Sequence, residues 1–152
     1  MSVRSATEAD CDGILACLHS AFEPYKTNYT PAAYNDTVLT RESLLARMKD
    51  MSIFVAVTEA GEIIGTIACQ VRVEGEGHLR GMAVDPRLQG RGISQQLLER
   101  AESELHARHC QRITLDTTQY LQRAIHFYEC NGYRASGKVT DFFGMPLYEY
   151  IK

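Results

Sequence analysis

No stretch of this sequence approaches the ~20 consecutive apolar residues of a membrane-spanning helix, and Met1-Ser2-Val3-Arg4-Ser5 lacks the apolar run of a secretory leader. A chain without either is expected in the cytoplasm, with no membrane partner. Basic residues are not in excess. The 16 Lys and Arg stand against 19 Asp and Glu, a formal net charge of −3, so the field that would hold a phosphate backbone is missing and nucleic acid is excluded as a partner. The five cysteines, Cys11, Cys17, Cys69, Cys110 and Cys130, form no C-x-x-C pair and are odd in number, which excludes a disulfide framework and a zinc site and leaves them as small buried hydrophobes. His19, His106, His109 and His126 have no partner at metal-ligand spacing, so no metal is expected. The absence of G-x-x-x-x-G-K-[ST], and of an acidic set for Mg²⁺, removes P-loop nucleotide chemistry. Repeats and low-complexity tracts are also absent.

What is present is an ordinary globular composition, 45% apolar and 23% charged over 152 residues, fitting one domain (1–152) able to bury roughly 68–70% of its unfolded surface. Val3 to Ala6 reads as a strand, and Thr7 followed by Glu8-Ala9-Asp10 as the cap of a helix with Ile14, Leu15, Leu18 and Phe22 on one face, ending near Pro24. Glu23 to Thr40, with its tyrosines and prolines, reads as an irregular or partly helical excursion. Thr40 caps a second helix to about Lys49. Ser52–Val57 and Ile63–Val71 form a hairpin, Gly75 and Gly77 mark a turn, and Leu79–Val84 is a strand. An amphipathic helix through Leu97, Leu98, Ala101 and Leu105 follows. Then come strand Arg112–Asp116, helix Leu121–Cys130, a strand from Tyr133 and a last strand Leu147–Ile151. Hairpins beside strand-helix-strand crossovers predict an α/β (α+β) fold with a mixed sheet, whose late strands offer an edge for a homodimer.

Between Val84 and Leu97 lies Gln89-Gly90-Arg91-Gly92-Ile93-Ser94. Small residues ahead of a helix let a diphosphate approach the backbone, where free N–H groups and the positive end of the helix dipole face it, at about 0.3–1 kcal/mol per contact. Val84-Asp85-Pro86 with Gln89-x-x-Gly92-x-Ser94 resembles the Q/R-x-x-G-x-G/A acyl-CoA loop of the GNAT superfamily of N-acyltransferases. Ser94 departs from the usual glycine or alanine. The alternative register Arg87-x-x-Gly90-x-Gly92 shifts the loop against both Val84 and Leu97, so the first is taken. Ala124-Ile125-His126-Phe127-Tyr128-Glu129-Cys130-Asn131-Gly132-Tyr133 resembles the family's late helix, A-x-x-F-Y-E-x-x-G-F. Leu121 stands where the family often has asparagine, a role Gln119 or Gln122 could take. The specific motifs cover residues 78 to 134.

The resemblance implies a GNAT fold, a mostly antiparallel twisted sheet of about six to seven strands with about four flanking helices. It implies acetyl-CoA as cosubstrate, held by backbone of Met82, Ala83 and Val84 at the pantetheine arm and by Gln89, Gly90, Arg91, Gly92, Ile93, Ser94 and Gln95 at the pyrophosphate, with the acyl oxygen on a backbone N–H near Val84. The partner is an amine, as a small molecule or peptide. A lysine-like amine costs about 4–5 kcal/mol to deprotonate at pH 7, so a base or a desolvating pocket must help. Tyr128 is implied as general acid to the leaving thiolate. His78 occupies the position of the glutamate base in histone-type members and is assigned as the second catalytic residue, with Glu74, Glu76 and water as alternatives. Phe22, Glu23, Tyr25, Tyr29 and Asp141 are implied as acceptor-binding residues. A binding module on the same fold that retains acyl-CoA but not turnover is the competing expectation.

Overall fold

The computed structural model describes residues 1–152. Seven strands form one sheet in the order β1-β2-β3-β4-β5-β7-β6. They are β1 (Ser2–Ser5), β2 (Ser52–Val57), β3 (Ile63–Val73), β4 (Glu76–Val84), β5 (Arg112–Thr117), β6 (Arg134–Phe142) and β7 (Met145–Ile151). Every neighbouring pair is antiparallel except β4 and β5. The last strand does not end the sheet, because β7 folds back between β5 and β6 and leaves β6 as a largely exposed edge.

Five α-helices cover the two faces: α1 (Cys11–Phe22), α2 (Pro31–Thr37), α3 (Arg41–Asp50), α4 (Ile93–Ala107) and α5 (Gln122–Cys130). The alternation along β2 explains the layering. Phe54 and Ala56 point into a core shared with Leu97, Leu98, Ala101 and Leu105 of α4, whereas Ile53, Val55 and Val57 point into a second core with Ile14, Leu18, Ala33 and Leu44 from α1 to α3. Two apolar faces on one strand require helices on both sides. The longest helix, α4, lies close on β3 because Gly65 leaves room for it: a Cβ there would stand 2.9 Å from Leu97 Cδ1.

Local chemistry sets the helix starts. Thr40 Oγ1 accepts from Ser43 N at 3.2 Å and Ser43 Oγ accepts from Thr40 N at 3.0 Å, a reciprocal cap that opens α3. At the first crossover Thr7 does not open α1 directly. It leads a 3-10 turn, Glu8–Asp10, whose Asp10 carboxylate takes both Nη atoms of Arg4 at 2.7 and 2.9 Å and Thr7 N at 2.8 Å. The Arg4 hydrogen bonds hold that carboxyl down at about 2. The excursion after α1 resolves into a 3-10 turn, Glu23–Asn28, and the two-turn α2, which Thr30 caps by accepting from Ala33 N at 3.3 Å. Gly77 belongs to β4 rather than to the turn expected for it.

All five cysteines are free thiols, and four are buried; Cys130 is exposed on α5, against the expectation of burial, because it follows Glu129 on the solvent side of that helix. Burial pushes the Cys17 thiol up to about 12 and Cys69 to about 11. No helix is long and apolar enough to cross a membrane.

Leu98 is fully buried in the core that carries α4. Leu98→Ala is expected to lower unfolding free energy by about 2–5 kcal/mol, read as a lower urea midpoint at unchanged slope. Glu99→Ala on the exposed face is expected to change it by less than about 0.5 kcal/mol.

Candidate active site

β4 and β5 pair only from Glu76 to Leu79 against Arg112 to Leu115. Beyond that point the strands separate, and the gap opens into a cleft of about 650 Å³ lined by both. The cause lies on the other edge of β4. Arg80 pairs with Ala68 and Ala83 with Thr66, so Gly81 and Met82 together oppose Ile67. That extra residue is a bulge, and Gly81 takes φ +64 within it, which bends β4 away from β5. The β5-facing edge of Met82, Ala83 and Val84 is left without a strand partner and borders the cleft.

The amino end of α4 meets the same cleft. Gly92 caps the helix at φ +79, a conformation that strains any other residue, and supplies no capping side chain. Gln96 N is the first amide to find a carbonyl, on Gly92 O at 3.2 Å, so the N–H groups of Ile93, Ser94 and Gln95 remain open. Gly90, Ser94 and Arg123 of α5 line the cleft there, and an Arg123 Nη2 stands 3.8 Å from where a Cβ on Gly90 would lie. Open amides, a hydroxyl and a guanidinium at a helix dipole's positive end make a donor set suited to a diphosphate. Gln95 contributes in a second way. Its Nε2 donates to Asn131 Oδ1 at 2.9 Å, and Asn131 Nδ2 donates to Phe127 O at 2.9 Å, which ties the start of α4 to the end of α5.

That tie fixes Tyr128. Its ring packs edge-on against Phe127 and Tyr133, with centroids 5.4 and 5.8 Å away, and it is 7% exposed while lining the cleft. Burial alone pushes its phenol above the ordinary value of 10. It therefore stays protonated through the physiological range and presents an O–H donor. Tyr133 anchors the cluster by donating to Glu102 Oε2 at 2.7 Å.

His78 also lines the cleft, yet its surroundings do not suit a base. It is 3% exposed, its Nδ1 lies 2.8 Å from Thr114 Oγ1, and burial, with Arg72 and Arg80 nearby, pushes it down to about 3. Its Nε2 lies 3.8 Å from Asp116 Oδ2, too far for a hydrogen bond, so the ring is a neutral buried link between β4 and β5. Glu76 is paired with Arg112 at 2.5 Å at the far end of β4, and Glu74 stands exposed in the preceding turn. Neither lines the cleft. Asp116 does: burial raises its carboxyl, opposed by Arg72 at 3.9 Å.

At the other end Phe22, Tyr25, Tyr29 and Asp141 line the cleft, and Thr30 Oγ1 donates to Phe143 O at 2.8 Å, pulling the α1–α2 segment against the β6–β7 hairpin. Burial pushes the Tyr29 hydroxyl up to about 12. Glu23 stands apart, exposed and 3.6 Å from His19 Nδ1, because the 3-10 turn rotates it outward; Arg91 is likewise exposed and off the cleft. Gln122 folds its amide onto Gln119 O, and neither glutamine reaches the cleft, where Leu121 lies. Sequence reading missed Arg123, Asp116, Asp36, Arg47, Arg72 and Arg80, all cleft residues. Arg72, Arg80 and Asp116 carry one local signal, a charge within a strand, whereas Asp36, Arg47 and Arg123 sit on helices and carry none.

The family model described as the Acetyltransferase (GNAT) family matches residues 15–133. The Bacillus subtilis uncharacterized protein YdhI is 36% identical over 88 residues, 58% of this chain and 53% of that protein, so the match spans about half the length of this curated relative. Among solved structures, PaiA N-acetyltransferase from Thermoplasma acidophilum, in complex with coenzyme A, superposes with TM-score 0.82 at 17% identity over 100% of this chain and 99% of that one. Ribosomal-protein-alanine N-acetyltransferase from Brucella melitensis does so at 0.75 and 23%, over 100% and 99%. At these identities the likeness carries the fold.

A histidine held near 3 in the folded chain and near 6.5 in the unfolded one binds fewer protons when folded across that interval. Its contribution to stability is complete above about 6.5 and is lost as pH falls toward 3. His78→Gln, which keeps a polar partner for Thr114, is expected to remove about 2 kcal/mol of the stability lost between pH 7 and 5, measured by urea unfolding at both values.

Proposed function

The chain belongs to the GNAT acetyltransferase family, and on that footing we propose that it transfers an acetyl group from acetyl-CoA to a primary amine by direct attack in a ternary complex, with Tyr128 as general acid. One observation carries the reading: a single cleft joins the open amides of the α4 terminus, the unpartnered edge of β4 and the buried phenol of Tyr128.

Acetyl-CoA supplies an activated acyl thioester when bound. The amides of Ile93, Ser94 and Gln95, the Ser94 hydroxyl and Arg123 hold the pyrophosphate, and Gly90 and Gly92 let it close on the backbone. The free edge of Met82, Ala83 and Val84 accepts the amide-bearing arm as an added strand. An N–H on that edge meets the negative charge that grows on the acyl oxygen. Tyr128 donates toward the leaving sulfur, and burial raises the proton affinity of a thiolate there by the effect that raises the phenol.

The amine must lose a proton. Asp36 is tied to Arg80 and Asp141 Oδ2 accepts from Gly144 N at 3.3 Å, which leaves Asp116, raised by burial, as the cleft carboxylate best suited to take it, with His78 kept neutral beside it. A cytoplasmic location is part of the same reading, since all five cysteines are free thiols. A binding module without turnover is the second reading, favoured by Leu121 at the cleft wall in place of a hydrogen-bonding side chain.

The test is thiol release from acetyl-CoA across a panel of amines, with CoA affinity measured in parallel. Tyr128→Phe is expected to lower kcat by about 10²–10⁴-fold with CoA affinity retained. Tight CoA binding with no release for any amine would establish the binding module instead.

Asp116→Asn is expected to depress kcat/KM at pH 7 by at least about tenfold and to approach the wild-type rate as pH rises toward the amine's own pKa. A pH–rate profile parallel to wild type would remove Asp116 from the reaction.

A further inference from the structure

Two guanidinium groups meet at one aspartate, Asp36, and only one of them takes its carboxylate. Arg80 comes from β4 and Arg47 from the last turn of α3, and both line the cavity together with Asp36 of α2. Arg80 Nη2 donates to Asp36 Oδ2, while Arg47 Nη2 reaches only the main-chain oxygen of Asp36 at 3.2 Å. Arg47 makes no ion pair of its own. Its other terminal nitrogen lies over the β4 bulge, 3.3 Å from where a Cβ on Gly81 would stand. The free guanidinium therefore hangs above the point where β4 leaves β5, beside the edge assigned to the acyl group.

The electrostatics of the trio are unbalanced. Burial, and then the charge of Arg80, push Arg47 down to about 10, still protonated at neutral pH, so one positive charge remains uncompensated. The neighbouring charges do not cancel it: Arg72 lies against Asp116 at 3.9 Å, and Asp141 belongs to the facing hairpin. A partly buried cation without a carboxylate is unfavourable, and a bound anion relieves it. The planar fork of an arginine also matches a carboxylate through two parallel hydrogen bonds.

We propose that Arg47 and Arg80 form an anion subsite for the acceptor, so that the amine acetylated by this protein belongs to a molecule that also carries a carboxylate, as an amino acid does. Arg47 and Arg80 hold the carboxylate, and Asp116 and Asp141 face the ammonium end. This cluster disfavours polyamines and lysine side chains of basic peptides, whose second charge would meet the guanidinium pair. The proposal rests on the transferase reading.

It is tested with acceptor pairs that differ only in carboxylate against carboxamide, such as amino acids of several chain lengths beside their amides. Release of thiol is followed in the wild type, Arg47→Met and Arg47→Lys, with CoA affinity measured in each. In the wild type the carboxylate member is expected to be favoured by on the order of ten- to a hundredfold in kcat/KM. Arg47→Met is expected to erase most of that preference by raising KM for the carboxylate member, leaving CoA affinity and the carboxamide rate in place, and Arg47→Lys to restore part of it. Equal use of both members by the wild type overturns the subsite even if the variants fail to fold, as does a preference unchanged in Arg47→Met. Amine-dependent release that favours the carboxamides leaves acetyl transfer standing and removes the subsite alone; CoA binding without release for every amine removes both.

Discussion

The interruption between β4 and β5 is the constraint on which the rest of this molecule depends. A parallel pair that continued past Leu79 and Leu115 would satisfy the backbone of both strands and leave no cleft. The bulge at Gly81 and Met82 prevents this by fitting two residues of β4 against one of β3. The price in unpaired backbone groups is moderate only where solvent or a ligand can reach them. A row of strand amides and carbonyls with no strand beside it is a template for an extended, amide-bearing partner, and the family resemblance supplies one.

Each other part of the site takes its position from that gap. Gly65 lets α4 settle on β3, which brings the uncapped end of the helix to the mouth of the cleft. The Gln95–Asn131 hydrogen bond couples α4 to α5, and the Tyr128, Tyr133 and Glu102 cluster packs beneath them. Burial then adjusts the chemistry in two directions. It keeps the phenol of Tyr128 protonated and the imidazole of His78 neutral, because it disfavours the charged form of each. The same desolvation raises the phenol and lowers the imidazole, so the position of a side chain along a strand does not fix its protonation.

At the end of the cleft away from α4 the segment from α1 to α3 packs its aromatic residues against the hairpin of β6 and β7, with Thr30 bonded to the backbone of Phe143. The charged groups in this part of the cleft come from six separate elements: Asp36 of α2, Arg47 of α3, Arg72 of β3, Arg80 of β4, Asp116 of β5 and Asp141 of β6.

The alternation of Phe54 and Ala56 with Ile53, Val55 and Val57, the helical spacing of Leu97, Leu98, Ala101 and Leu105, and the glycines ahead of Ile93 made the mixed sheet, its flanking helices and the glycine turn into α4 legible in sequence, because each is a property of neighbouring residues. The helix that carries Tyr128 was legible for the same reason, within one contiguous segment. The insertion of β7 between β5 and β6, the outward turn of Glu23 and the neutrality of His78 were not. Nor was the meeting of Asp36, Arg47 and Arg80. Periodicity is written along the chain, whereas strand order, desolvation and ion pairing depend on which distant residues share a low-dielectric space, and only the folded arrangement of the sheet and its two helical layers decided that.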